Sequence, residues 1–231
     1  MKMGNNKIVL FGTGEIAELA LFYFTNDSNY EVVAFCCDEK YKKADFFCGL
    51  PLVSFEKIEK HYPSAKHKMH VALSYTKLNR TRELKYTQAK KKGYTLVNYI
   101  CSKSVSWNDL TIGDNCFILE NQTIQPTVVI GSNVMIWSGN HLGHGCEIGD
   151  HTYLSSHICI SGHTKIGKRC FIGVNSTFKD FIEIGDDVFI GMGASVTKDI
   201  PSNSSVLSPQ SNVFEEEHKV TQRIRKSYFK L

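Results

Sequence analysis

From Ile112 onward every sixth residue is large and apolar: Ile112, Ile118, Ile124, Ile130, Ile136, Leu142, Ile148, Leu154, Ile160, Ile166, Ile172, Phe178, Ile184, Ile190 and Val196 follow without a gap. Glycine stands directly after eight of these fifteen anchors (113, 131, 143, 149, 167, 173, 185, 191). The residue two before the anchor is usually small or β-branched, as at Cys116, Val128, Val134, Cys146, Thr152, Thr164, Cys170, Ser176, Val188 and Ala194. Helices repeat at about 3.6 residues and simple strands at about 2, so neither accounts for a sustained period of six. A solenoid of parallel strands does: every sixth side chain points into a narrow prism, and glycine permits the tight corner that follows. Three hexads close one triangular coil, and residues 107–200 supply about five coils stacked at roughly 4.8 Å. Cys116, Cys146 and Cys170 fall on the small inward position and are expected to be inert core residues.

The remaining composition is that of an ordinary folded chain of 231 residues, 42% apolar and 22% charged, which excludes a disordered protein. The formal charge of +4 is too small to argue for nucleic-acid binding. Its distribution is uneven: residues 1–100 hold 16 basic and 10 acidic side chains, residues 101–205 hold 6 and 10. The first part is where an anionic ligand is attracted. No apolar run approaches the roughly 20 residues that cross a bilayer. The eight cysteines form no C-x-x-C pair, and Met1 to Lys7 leads straight into a short apolar run, so a reducing cytoplasm is the expected compartment.

The segment before the coil reads as a small doubly wound α/β domain over residues 1–100, the coil occupying 101–205 and a helical, charged tail 206–231. A buried strand, Lys7 to Phe11, runs into Gly12-Thr13-Gly14-Glu15-Ile16-Ala17 and a helix reaching about Phe24; a strand from Glu31 to Cys37 ends at Asp38. Backbone N–H groups at such a turn receive phosphates, and the acid meets a ribose or base. One nucleotide fits this length better than a dinucleotide. The alternatives are a glycine turn used only for packing and an Asp38 that is merely a solvated surface acid. Further expected elements are Pro51 to Phe55, a helix from Glu56 to Tyr62, strands from Met69 to Ser74 and Tyr94 to Tyr99, and a helix from Lys77 to Lys92. Lys85 and Lys90-Lys91-Lys92 suit that helix's C-terminal end and read as a solvated face.

The hexads Ile148-Gly149-Asp150, Ile166-Gly167-Lys168, Ile172-Gly173-Val174-Asn175-Ser176, Ile184-Gly185-Asp186-Asp187 and Ile190-Gly191-Met192-Gly193-Ala194 resemble those of the hexapeptide-repeat acyltransferases. With a Rossmann-like domain in front, residues 7–200 look like the bacterial nucleotide-sugar N-acetyltransferases grouped with proteins labelled sialic-acid O-acetyltransferases. The resemblance implies a left-handed parallel β-helix, a hand the period alone does not fix. It implies a homotrimer with acetyl-CoA lying between subunits, and transfer of acetyl to the amine of a UDP- or dTDP-linked amino sugar for surface glycan synthesis. By position, Gly12, Thr13 and Gly14 face the diphosphate, and Asp38 and Ser74 lie near ribose and base. His144, two residues past an inward anchor and therefore outward-facing, takes the place of the catalytic base, with His141 the second choice. The base frees a sugar amine that is otherwise protonated near neutrality.

Asn140, at an inward position, reads as a core hydrogen-bonding residue. Gly173, Asn175, Gly191 and Gly193 are candidate neighbours of the coenzyme, although corner geometry also accounts for the glycines. Relatives often place an acid beside the base; here Gly145 follows and the nearest acid is Glu147, so a backbone carbonyl or a neighbouring chain is expected to orient the ring. The segment Val206-Leu207-Ser208-Pro209-Gln210-Ser211 also departs from the family's usual ending. Trp137 and Tyr153 are expected to pack about the three-fold axis.

Three other activities compete: O-acylation of a sugar hydroxyl, a zinc-dependent β-helix hydratase, and a non-catalytic nucleotide-binding scaffold. His151, His157 and His163 also recur every six residues, but they fall on successive sides of the prism, so no metal is expected from them. Only His144 and His163, nearly one coil apart, could approach each other.

Overall fold

The computed structural model describes residues 6–230. Strands β1 (Lys7–Phe11), β2 (Glu31–Cys37), β3 (Phe46–Phe47), β4 (Leu50–Ser54) and β5 (Lys68–Val71) form one sheet in the order β3-β4-β2-β1-β5. All pairs are parallel except the β3–β4 hairpin. The central strand is apolar on both faces, Ile8 to Phe11 being buried, as a strand covered by helices on each side must be. Helix α1 (Glu15–Asn26) turns Ala17, Ala20 and Phe24 toward the sheet at helical spacing. A short α2 (Ile58–His61) and a longer α3 (Arg80–Lys91) complete the domain. Helix α3 starts three residues later than the pattern predicts, because Lys77, Leu78 and Asn79 are all left-handed, with φ of 56°, 50° and 64°.

The strand expected over Tyr94 to Tyr99 is not a sheet member. Only Leu96 bridges to Met69; Tyr99–Ile100 pairs instead with Phe117–Ile118 of the coil. This segment is buried because it passes from one core into the next.

The coil is three parallel sheets of two-residue strands, stacked with a register of 18 residues, as in Met135 opposite Tyr153 and His141 opposite Cys159. It is a left-handed parallel β-helix. Ser205–Val206 pairs with Phe189–Ile190, so stacking runs beyond residue 200. All the anchors from Ile118 to Val196 are buried. Cys116, Cys146 and Cys170 are buried too, each thiol donating to a carbonyl of the next coil (Gly131, Ser161 and Gly185, at 3.0–3.1 Å). Burial pushes their thiols up, Cys116 to about 12, which keeps them protonated. Of the tail, Lys219–Ile224 forms an α-helix (α4) and Arg225–Phe229 a π-helical turn, less than the whole-tail helix expected.

The glycine after each anchor has a different cause from the one the repeat suggests. The left-handed corner lies two residues further on, at Asn115, Asn121, Thr127, Asn133, Gly139, Gly145, His151, His157, His163, Arg169, Asn175, Phe181, Asp187 and Gly193. The glycines after the anchors instead lie against the next coil: a Cβ on Gly149 would stand 2.5 Å from the Gly167 carbonyl carbon, and one on Gly173 2.5 Å from the Met192 nitrogen. Asn is the natural occupant of a left-handed corner.

One corner, formed by Asn115, Asn133, His151, Arg169 and Asp187, carries the N-terminal domain. Asn115 exchanges hydrogen bonds with the Val71 backbone at the end of β5. Asn79 donates to the carbonyls of Arg169 and Cys170. Arg82, only 2% exposed, donates to the carbonyls of Asn133 (2.6 Å) and His151 (2.8 Å) and to Asn79 Oδ1 (2.8 Å). Arg80 and Arg169 both pair with Asp187.

His70 on β5 is buried between Phe24 and Phe117, its Nδ1 2.9 Å from the Val97 carbonyl. Burial pushes it down to about 4. A histidine lowered in the native state stays neutral while the unfolded chain takes up a proton, so its share of stability is intact above about pH 6.5 and is lost as pH falls toward 4. Between pH 6.5 and 5 this removes about 1.5–2 kcal/mol. Urea unfolding of wild type and His70→Phe at both pH values checks this: the variant has the shallower dependence.

Candidate functional site

The strand order reverses between β2 and β5 on either side of β1, and a ligand crevice opens at such a switch point. A cavity of about 360 Å³ lies there, lined by Gly12, Thr13, Asp38, Tyr41, Leu73 and Lys85 among others. A second depression of about 580 Å³, sharing Leu73, is lined by Gly14, Ser74 and Tyr75 together with Trp137 and Tyr153 of the coil. Gly12, Thr13 and Asp38 thus come together, while Gly14 and Ser74 sit next door, facing the coil.

The two glycines of the turn differ. Gly12 has φ +137°, and a Cβ there would stand 2.6 Å from the Ala72 carbonyl oxygen, so packing alone requires it. Gly14, at the α1 N-cap, has an extended φ of −115° and open space around it. Asp38 is not a solvated surface acid. It is half-buried and receives Lys85 Nζ on Oδ1 at 2.5 Å. Lys85 is accordingly not part of a solvated helix face, and Lys90 and Lys92 pair with Asp114 and Glu59. Lys85 was not legible as a site residue, since it lies 47 positions from its partner.

His144 is exposed on the coil, beside the corner formed by Thr127, Gly145, His163 and Phe181. Its ring lies over Gly162, where a Cβ would stand 2.7 Å from Cε1. The His163 ring meets it edge to face at 4.9 Å and stacks in turn on Phe181. Neither a backbone carbonyl nor Glu147 orients the imidazole; the Gln125 carboxamide does, its Oε1 2.8 Å from the His144 backbone nitrogen and 3.2 Å from Nδ1. The 18-residue step is the signal that would have found it, because it puts Gln125 in the coil directly beside Gly143. His141 is half-buried in the strand His141–Leu142, outside this cluster. Asn140 is buried, its Oδ1 accepting from the Ile158 nitrogen at 2.7 Å.

Gly173, Asn175, Gly191 and Gly193 lie on two adjacent coils, Asn175 and Gly193 on the corner that also holds Gly139 and His157. That is a different corner from the one beside His144. Trp137 and Tyr153 do not face outward. Tyr153 is buried beneath Tyr75, with ring centroids 5.0 Å apart, and Trp137 Nε1 donates to its hydroxyl. They face the N-terminal domain because that domain covers this side of the prism. His151, His157 and His163 stand on three different corners. Among the described residues no group of three or more His, Cys, Asp or Glu is arranged to hold a metal ion, and no helix is long and apolar enough to cross a membrane.

Residues 127–157 match the bacterial transferase hexapeptide family (six repeats), and residues 163–198 match the hexapeptide repeat of succinyl-transferase. Both matches fall within the coil. A curated relative of this chain is the acyl-[acyl-carrier-protein]–UDP-N-acetylglucosamine O-acyltransferase of Sinorhizobium fredii, 31% identical over 98 residues, or 39% of this chain and 36% of the relative. Another is UDP-3-O-acylglucosamine N-acyltransferase 2 of Sulfurimonas denitrificans, 28% identical over 97 residues (42% and 30%). The chain spans about a third of the length of these two relatives. Among solved structures it is similar to PerB from Caulobacter crescentus in complex with CoA and GDP-perosamine, with a TM-score of 0.78, 22% identity, and coverage of 87% of this chain and 94% of that one. The acetyltransferase domain of PglB from Neisseria gonorrhoeae, in complex with acetyl coenzyme A, gives 0.76, 20%, 89% and 97%. The hexapeptide coil and the α/β domain therefore share one two-part fold with these proteins.

Proposed function

We propose that the chain is an N-acetyltransferase that moves acetyl from acetyl-CoA to the amine of a nucleotide-linked amino sugar. The observation that carries this reading is one pairing: a crevice of about 360 Å³ at a sheet switch point, docked by Arg82 and Asn79 onto the coils that carry an exposed imidazole hydrogen-bonded to Gln125. The fold shared with PerB, described with CoA and GDP-perosamine, supports it.

In the proposed reaction Gly12 and Thr13 approach the diphosphate, and Asp38 with Lys85 meets the ribose or base. His144 Nε2 removes a proton from the sugar ammonium. The amine nitrogen attacks the acetyl carbonyl carbon, a backbone N–H stabilises the oxyanion, and the C–S bond breaks as the C–N bond is kept. That first proton passes from the imidazole to water; the acylated nitrogen gives up its second proton to His144 as the adduct collapses, and this proton reaches the departing thiolate. No covalent intermediate on the protein is needed.

Asn175 and Gly193, our candidates for the coenzyme, stand at another corner from His144. A thioester held there meets the imidazole of a neighbouring copy, which favours a homotrimer with the donor between subunits. The eight free cysteines fit a reducing cytoplasm.

The test is incubation with acetyl-CoA and a set of UDP-, dTDP- and GDP-linked amino sugars, followed by thiol release and product mass, with particle size from light scattering. One sugar is expected to gain one acetyl group, with a trimer in solution. An absence of acyl-CoA binding and turnover with every sugar overturns the reading, and a monomer at assay concentration overturns the shared site.

A further inference from the structure

We propose that Gln125 fixes the tautomer of His144, holding the ring proton on Nδ1 so that the lone pair on Nε2 faces the substrate; the inference rests on His144 being the base. A glutamine amide has one end that accepts and one that donates, and the two are told apart only by their partners. Here the partner decides. The His144 backbone nitrogen lies 2.8 Å from the same Gln125 atom that lies 3.2 Å from Nδ1. A backbone N–H only donates, so that atom is the carbonyl oxygen. An acceptor facing Nδ1 requires Nδ1 to carry a hydrogen, and in a neutral imidazole Nε2 is then the free base.

The surroundings leave this task to Gln125. The ring's other neighbours are Gly162 beneath it and His163 edge to face at 4.9 Å. Among the described residues, no ion pair includes His144, and Gln125 is the one hydrogen-bond partner of its ring. A carboxylate in this place would strengthen the base by stabilising the imidazolium, whereas a carboxamide orients the ring without adding charge. Gln125 acts through His144 and is a positioning residue.

The experiment compares wild type, Gln125→Ala, Gln125→Glu and His144→Ala by histidine nitrogen NMR and by pH profiles of kcat/KM. Wild type is expected to show His144 as the Nδ1–H form, and Gln125→Ala a mixture with Nε2–H. Loss of such a supporting hydrogen bond lowers kcat about tenfold, with KM changed less than about twofold. Gln125→Glu keeps an acceptor for the backbone N–H, so it preserves the local fold. It restores turnover and moves the acid limb of the profile upward by about one pH unit. An unchanged tautomer in Gln125→Ala, or an unmoved acid limb in Gln125→Glu, overturns the role of Gln125. Near-normal turnover in His144→Ala overturns the base reading instead, and the NMR result does not depend on that outcome.

Discussion

His144→Ala is expected to lower kcat by about a hundredfold or more near pH 7, with little change in KM for either substrate. In the proposed reaction the imidazole meets the amine and neither the diphosphate nor the coenzyme, so its removal is expected to cost the transition state and spare ground-state binding. Fold is not at risk: the ring is exposed, and it covers Gly162 without filling a core. The deficit should also shrink as pH rises, because a sugar amine that has already lost its proton needs no base. Steady-state kinetics from pH 6 to 9 with the acetylated sugar as readout checks both parts. A pH-independent loss, or one confined to KM, removes His144 from proton transfer.

Arg82→Ala is expected to destabilise the protein by about 3 kcal/mol. The guanidinium is buried with no carboxylate beside it, and burial pulls it down to about 10, so it remains a cation at neutral pH. It is held by two corner carbonyls and one amide oxygen, and its Nε has no partner among the described residues. Truncation leaves those acceptors buried without donors and opens a cavity between the domains. For a chain of this size the change corresponds to a fall in Tm of roughly 6–12 °C. Arg82→Met, which keeps most of the volume but none of the hydrogen bonds, separates the two contributions. Urea unfolding decides: a loss below about 1 kcal/mol would show that the corner carbonyls are satisfied without Arg82.

The coil was legible because a period of six, sustained through fifteen anchors, has one structural meaning. What the period did not reveal was why glycine recurs. The sequence places Gly149 and Gly173 at the turn, but only stacking shows that a neighbouring coil, and not a left-handed φ, excludes a side chain there. The histidines at 151, 157 and 163 have a similar history: their spacing invited a metal, and their φ of 57–65° shows them at corners. The crevice residues Gly12, Thr13 and Asp38 were readable from strand, turn and acid, which are local. Lys85 and Arg82 were not, because nothing local says that α3 turns one toward Asp38 and the other into the coil. Tyr94 to Tyr99 misled for the opposite reason, since burial by two successive cores produces the same apolar pattern as a strand. Gln125 was within reach of arithmetic: counting back one full coil from Gly143 lands on it.

The attachment of the first domain at the corner carbonyls of Asn133, His151 and Arg169 has a consequence for the architecture's tolerance of growth. The clamp grips the same three storeys that hold the imidazole, so the crevice and the base are surveyed from a common datum. Whole storeys of 18 residues added beyond Cys170 would lengthen the tower and leave that distance untouched, whereas one slipped in between Asn133 and His144 would move the imidazole a full storey away from the Asn133 grip.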